Sequence, residues 1–376
     1  MSLSRRQWMQ GLWALGMGGP TNAWAEPSLP SQMKAAAVQF QPKLGDIPAN
    51  LAKAEVLARE ALGKGANLVV LPEFFPSGLM FGPEMFQVPQ VMDSEPVRLL
   101  TRLATSASAY VGGSLLLKHS GDVFNTFVLA CPDGTMLTHD KDFPTTNFES
   151  SLFAGGEDRA FVARLGEEGA STLSEPVAPR LESSASGVLK HGTMAIGSAL
   201  CWELVRTRTA QRLKDQVQVV MASSGWWTID PSGSWPGVSS GMSQGRWNDH
   251  RALINIAAVR MAQFLGVPVI HSNFCGANPG FADLGFSRAA SGRYLGRSAV
   301  VSSDGTVLSQ LDEQEGVALA ELPIRPPVPT AAIPAQFWIP EVPEYLAKSW
   351  AVTGASGRNA YLKEVRKKYL AAAGKA

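Results

Sequence analysis

"KAAAVQFQPKLGDIPANLAKAEVLAREALGKGANLVVLPE", residues 34–73, changes its periodicity twice. Lys34–Phe40 is a short apolar run suited to a buried strand. Apolar residues then recur at helical spacing, and Gly63 and Gly65 supply a stop. "LVVLPE" (68–73) is a second strand, so the segment is β-α-β, the repeating unit of a layered α/β protein. It ends on Glu73, a carboxylate at a strand terminus.

Further strands are expected at 110–117, 124–131, 193–200, 217–224 and 267–273, and helices at 95–108, 203–215 and about 243–263. Asp133-Gly134 and Asp304-Gly305 each sit between strand-like runs and mark hairpins. The result is a mixed sheet system in one catalytic domain, residues 26–322. Two segments stand apart. Residues 164–192, rich in Gly, Ser, Glu and Pro, are expected as a surface loop insertion with little regular structure. Residues 323–376 begin with seven prolines between Pro323 and Pro343, which predicts an extended arm before a final helix. "FWIP" (337–340) is too apolar to stand in solvent, so the arm should cover apolar surface. "VGGS" (111–114) lacks the spacing of a dinucleotide fingerprint.

The chain has 376 residues, 45% hydrophobic and 17% charged, with 33 basic and 32 acidic residues and a net charge of +1. That balance fits a globular protein and gives no footprint for nucleic acid or for an anionic membrane. "KEVRKKY" (363–369) is the only basic cluster near the C-terminus and is expected as a solvated helical face. Residues 1–25 carry Arg5 and Arg6, a brief apolar run and "AWA" ending at Ala25, the pattern of a signal peptide, here twin-arginine-like. An exported, periplasmic location follows as an expectation, without stable membrane insertion, because the apolar run is too short to span a bilayer. Cys131, Cys201 and Cys275 permit at most one disulfide. No C-x-x-C or H-E-x-x-H spacing occurs and the five histidines are scattered, so no metal site is expected.

In "AIGSALCWELVRTR" (195–208) a strand hands over to a helix-like run at Cys201. A thiol there would meet unpaired backbone N–H groups and the positive end of a helix, which favour a thiolate; the plain alternative is a core cysteine. Glu73, Lys141 in "HDKDFPTTNFES" and Glu149 eight residues later share its setting. Strand-end groups of a layered α/β fold gather at one sheet edge. Together they suit attack by a thiol on a carbon bonded to nitrogen: Glu73 takes the proton and later activates water, and Lys141 faces the developing anion. Trp202 offers a backbone N–H beside the thiol, and Trp226 and Trp227 can wall a substrate pocket. Glu203 suits the first turn of a helix. His271 and Cys275 fit packing better than reaction. A papain-like Cys–His pair would need a histidine beside Cys201.

"VVLPEFFPSG", "KDFPTTNFE" and "SALCWE", in that order, resemble the Glu, Lys and Cys segments of the nitrilase, or carbon–nitrogen hydrolase, superfamily, over about Lys34 to Glu321. The resemblance implies a four-layer α-β-β-α sandwich. It implies Glu73 as general base, Lys141 as the oxyanion-stabilising residue, Cys201 as nucleophile and Glu149 as a positioning or acid-assisting glutamate. It also implies no metal or organic cofactor, and a homodimer or larger homo-oligomer. The stretch between Lys141 and Cys201 is longer than the family's usual spacing, "CWEL" lies between nitrilase and amidase patterns, and the proline that often follows is absent. The expected function is hydrolysis of a small, non-peptide amide through a cysteine thioester, releasing ammonia or an amine and a carboxylic acid. A nitrilase acting through a thioimidate is the near alternative, and a catalytically silent binding protein on the same fold is the distant one.

Overall fold

In the computed structural model of the chain, residues 32–80, 83–145, 149–156, 162–166, 169–172, 194–232, 239–278, 292–339 and 342–373 are described. The expected signal segment, 1–25, lies outside them.

Two sheets follow one plan. In the first, β1 (Gln32–Gln39), β2 (Leu68–Val70) and β3 (Tyr110–His119) run parallel, as the β-α-β pattern requires. β4 (Asp122–Ala130) and β5 (Met136–Asp140) extend it antiparallel through the Asp133-Gly134 turn, and β16 (Gly316–Pro323) pairs antiparallel with β1. In the second, β8 (Met194–Leu200), β9 (Val219–Ser223) and β11 (Val269–Ser272) are the parallel centre. β14 (Ala299–Val301) and β15 (Val307–Gln310) flank β11, and β6 (Val162–Gly166) and β7 (Gly169–Thr172) flank β8. A small third sheet joins β10 (Trp227–Ile229), β13 (Gly292–Leu295) and β12 (Cys275–Asn278).

Alternation along the strands sorts the layers. Ala35, Ala37, Leu68 and Val70 face Met194, Ile196, Leu200, Val219, Met221 and Ile270 across the inter-sheet core. Their neighbours Ala36, Val38, Val69 and Leu71 pack outward on α1 (Ile47–Gly63) and α2 (Glu95–Ala107). On the other side Ala195, Ala199, Val220, Ala222 and Val269 pack on α3 (Thr207–Leu213) and α4 (Ser240–Leu265). The period of two therefore covers both faces of each sheet with apolar side chains, and the layers are helix, sheet, sheet, helix. Gly112 and Gly113 serve this packing: a Cβ on Gly112 would collide with the Phe127 ring, and one on Gly113 would lie 2.9 Å from Leu71. The glycine pair is steric relief, not a phosphate loop.

Two expectations need correction. The helix expected over 203–215 is broken: a 3-10 turn spans Cys201–Val205, Arg206 is extended at φ −110° and ψ 128°, and only then does α3 begin. The break occurs because Arg206 forms a β-bridge with Trp338 of the C-terminal arm. The segment 164–192 does not start as loop, since β6 and β7 form a hairpin whose first strand pairs with the edge of β8; residues 173–193 lie outside the described part. Covering a sheet edge satisfies backbone groups that would otherwise stay open.

The arm does cover apolar surface. It crosses the end of α4, where the Val328 N–H donates to Gly266 O at 3.2 Å; Gly266, at φ +67°, has no room for a Cβ beneath the arm's backbone. Ile339 is buried, whereas Phe337 remains 53% exposed. Beyond the arm, α5 (Glu344–Ala360), a π-helical turn (Tyr361–Val365) and α6 (Arg366–Ala373) follow. The basic run is only partly solvated: Arg366 pairs with Asp122 at 2.8 Å, and Tyr361 and Tyr369 are buried. Among the described residues no helix is long and apolar enough to cross a membrane. Deleting residues 323–376 should lower the melting temperature by more than about 5 °C, because it strips a cover from α4 and from the turn after Cys201. Calorimetry of the truncated chain checks this; an unchanged transition would contradict the arm's role in packing.

Candidate active site

Three strands end at one place. Glu73 stands three residues past β2, Lys141 directly follows β5, and Cys201 directly follows β8, so two sheets supply the cluster. Glu149 lies on a short helical turn after Lys141. The local backbone is unusual on both sides, for Phe74 (φ +55°) and Cys201 (φ +51°) are left-handed without being glycine. Such strain, about 1–3 kcal/mol per residue, persists where the surrounding structure enforces it and concentrates at functional sites.

Hydrogen bonds converge on Glu73. Its Oε1 accepts from Lys141 Nζ at 2.9 Å and from Asn125 Nδ2 at 2.7 Å, and its Oε2 accepts from the Gly225 N–H at 2.8 Å. The Cys201 thiol lies close enough to the same carboxylate for Glu73 to be the first charged group that raises it. Lys141 Nζ also donates to Glu149 Oε2 at 2.8 Å, and that oxygen accepts the Thr145 N–H at 2.6 Å. All four side chains are buried, Lys141 at 1% exposure and Glu73 at 0%. The structure thus brings Glu73, Lys141, Glu149 and Cys201 together. It adds Asn125, a buried polar residue on β4, and two backbone N–H donors that a sequence does not display.

The electrostatics differ from the expectation of a helix-activated thiol. Burial pushes the Cys201 thiol well above its usual range, and Glu73 and Glu149 add to the shift while Lys141 opposes it. A five-residue 3-10 turn gives little dipole to offset this. Burial works against the Lys141 charge, but Glu149, Glu73 and Cys201 hold the ammonium above its ordinary value. Glu149 is raised, by burial first and then by Glu73, with Lys141 pulling the other way. One cation therefore serves two carboxylates in a dry site. A thiolate formed by losing its proton to solvent would add a further negative charge, whereas passing the proton to Glu73 leaves the total unchanged.

The other expected residues divide. The rings of Trp202 and Trp226 lie 5.4 Å apart, and Trp338 from the arm meets Trp202 edge-on at 5.6 Å. Trp202, Trp226 and Cys201 share one core cluster. Trp227, half-buried on β10, packs instead with the clusters that hold Phe40 and Phe74. His271 donates to or accepts from Ser224 Oγ at 2.8 Å and is pushed down to about 4 by burial, which leaves it neutral and away from the role of Cys201's base. Cys131 and Cys275 are free, buried thiols, each pushed up to about 12 by burial first.

A second buried cluster adjoins the first. His139 Nε2 lies 3.0 Å from Glu203 Oε2, and Asp142 pairs with Arg212 at 2.6 Å and with Arg206 at 3.6 Å. His139, Asp142 and Glu203 present ligand atoms within 4.8 Å of one another. The donor set argues for an ion-pair network over a metal site: both Glu203 oxygens accept backbone N–H groups, and two guanidinium groups crowd Asp142. Glu203 was expected as a first-turn carboxylate, and it does accept the Leu200 N–H at 2.7 Å, but it also reaches across to the lysine's strand.

The carbon–nitrogen hydrolase family profile matches residues 34–325. An omega-amidase NIT2 of Danio rerio is 39% identical over 95 residues, 24% of this chain and 34% of that protein. A nitrilase of Pyrococcus abyssi is 33% identical over 105 residues, 27% of this chain and 40% of its own. The chain therefore spans only about a third to two-fifths of the length of these curated relatives. An amidase of the nitrilase superfamily from Nesterenkonia AN1 superposes with a TM-score of 0.56 at 18% identity, over 77% of this chain and 92% of its own, which shows the shared fold.

The shared cation makes a stability prediction. Lys141→Ala leaves two buried carboxylates without their counter-charge and should cost about 3–5 kcal/mol at neutral pH. Glu149 is already raised by burial and by Glu73, and removing the lysine takes away the charge that opposes this, so the folded state binds a proton more tightly than the unfolded chain and the deficit shrinks as pH falls toward the carboxylate range. Urea denaturation of variant and parent at pH 7 and pH 4.5 checks this; a deficit equal at both would contradict the shared-cation picture.

Proposed function

The chain belongs to the carbon–nitrogen hydrolase family, and on that premise we propose that it hydrolyses a small, non-peptide amide through a thioester on Cys201. The observation that carries this reading is the buried Lys141 held by two carboxylates at the strand end where Cys201 also lies.

In the proposed sequence Glu73 takes the thiol proton as sulfur attacks the amide carbon. The carbonyl oxygen becomes an oxyanion facing Lys141 and the N–H of Trp202. Glu73 then returns the proton to the leaving nitrogen, the carbon–nitrogen bond breaks, and ammonia or an amine departs. Water enters, gives a proton to Glu73, and attacks the thioester carbon; the acid leaves as sulfur regains the proton. Glu149 fixes the lysine throughout, and no step needs a group from outside the chain beyond water. Each proton stays between sulfur, Glu73 and substrate, which suits a site where charge separation is costly.

A nitrile would meet the same thiol and give a thioimidate, and the 33% identity to a nitrilase keeps this as the second reading. Residues 1–25 are proposed to direct export through the twin-arginine route.

Cys201→Ser and Glu73→Gln should each lower amide turnover by more than about 10³-fold while the fold survives. Cys131→Ser and Cys275→Ser should stay within about 3-fold of the parent, since those thiols are inert packing groups. Ammonia release from parallel panels of short amides and nitriles, with intact-mass detection of the acyl adduct, tests both points. Turnover by a folded Cys201→Ser protein near the parental rate would sink the mechanism. Ammonia from nitriles alone would move the assignment to the second reading.

A further inference from the structure

The inter-sheet core beneath the site consists of apolar side chains, and apolar contact is non-directional. Directional bonds, such as Ser223 Oγ to Leu71 O at 2.6 Å and the Glu73 N–H to Ser224 O at 3.1 Å, tie the Glu73 strand end to the second sheet but do not reach the lysine's strand. Yet the reaction proposed above needs Cys201, from the second sheet, to be held in register with Lys141, from the first. A misplacement of about 1 Å costs on the order of 100-fold in rate.

Beside the Asp142–Arg212 ion pair at 2.6 Å, Glu203 bridges those two strand ends through the backbone on both sides. Glu203 is 1% exposed. Its Oε2 accepts the N–H of Leu200, the residue before Cys201, at 2.7 Å, and its Oε1 accepts the N–H of Asp142, the residue after Lys141, at 2.8 Å. His139, two residues before Lys141 on β5, closes the arrangement with Nε2 at 3.0 Å from Oε2 and 3.3 Å from Oε1. Neither side chain has a reacting atom of Glu73, Lys141 or Cys201 among these partners. We propose that His139 and Glu203 form a positioning clasp that sets the nucleophile's turn against the catalytic lysine. The proposal rests on the reading that Cys201 and Lys141 act on one substrate.

Charge-assisted hydrogen bonds are directional and about twice as strong as neutral ones, so this carboxylate supplies the orientation that the apolar core lacks. The charged groups around the clasp are Asp140 and Asp142 on the lysine's segment and Arg206 on the nucleophile's, the last at 3.5 Å from Glu203 Oε1. Burial opposes the charge on His139, but Glu203, then Asp142 and Asp140, hold the imidazolium above its ordinary value. Burial likewise opposes the Glu203 carboxylate, and His139 and then Arg206 and the Leu200 N–H bring it down to about 2. Both shifts favour the imidazolium–carboxylate form of the pair.

The test compares His139→Leu, which removes the donor, with His139→Gln, which keeps one and cannot ionise. Two readouts are used: kcat and KM on a short amide hydrolysed by the parent, and the iodoacetamide alkylation rate of Cys201, followed by peptide mass. The clasp predicts that His139→Leu lowers kcat by about 10- to 100-fold, changes KM by less than about 3-fold, and alters the alkylation rate. His139→Gln should recover kcat to within about 3-fold. A folded His139→Leu protein with parental kcat and alkylation overturns the proposal, as does a His139→Gln protein no better than His139→Leu. If His139→Leu does not fold, Glu203→Gln decides, since it replaces one acceptor by an N–H₂ group facing a backbone donor; parental kcat and alkylation in that variant overturn the clasp. A parent that turns over no amide, but whose Cys201 alkylation still responds to His139→Leu, refutes the functional reading and leaves the clasp standing.

Discussion

One buried ammonium group, that of Lys141, is shared by two buried carboxylates, and much of the site depends on it. Lys141 is the donor that Glu73 and Glu149 share, and it alone opposes the rise that burial and the two carboxylates impose on the thiol. The arrangement keeps sulfur protonated at rest. A resting thiol in a dry site is protected from adventitious oxidation, because the thiolate is the form that oxidants attack. Chemistry then begins only when a substrate carbon accepts the electron pair as the proton moves.

The sheets make this arrangement possible because both follow the same plan. Each has three parallel strands at its centre, and parallel strands present their C-terminal ends on one side. Glu73 follows a central strand of the first sheet and Cys201 a central strand of the second, while the antiparallel return of β4 and β5 brings Lys141 to the same end. Asn125 on β4 and the N–H of Gly225 beyond β9 then orient Glu73 from opposite sheets.

Local pattern carried the layers and the strand-end residues. Continuous apolar runs at Ala35–Val38 and at Leu68–Leu71, separated by a stretch at helical spacing, are visible in the chain itself, and a charged residue soon after such a run stands out. What the pattern could not show depends on contacts between distant segments. The helix expected over 203–215 breaks because Trp338 pairs with Arg206, more than a hundred residues away. His139 looked like one scattered histidine among five, although its place two residues before Lys141 put both on one face of a strand. The thiol's raised pKa was missed for the same reason: the carboxylates that cause it come from remote parts of the sequence.

The pairing of the arm with the nucleophile's turn bears on how the protein is made. The Ile339 N–H donates to Val205 O at 2.8 Å, the Thr207 N–H donates to Phe337 O at 3.0 Å, and the Thr207 hydroxyl donates to the Gln336 carbonyl. Domains fold as their chains emerge during synthesis, N-terminal parts first. Among the described residues every strand of both sheets is complete by Pro323, so the sandwich can assemble before the arm as far as Ile339 has emerged. The turn that carries Cys201 gains its final backbone partners only after Ile339 has emerged. The nascent chain can therefore acquire its shape before its nucleophile is fully clamped, and emergence of the arm through Ile339 sets the earliest moment at which that clamp can close.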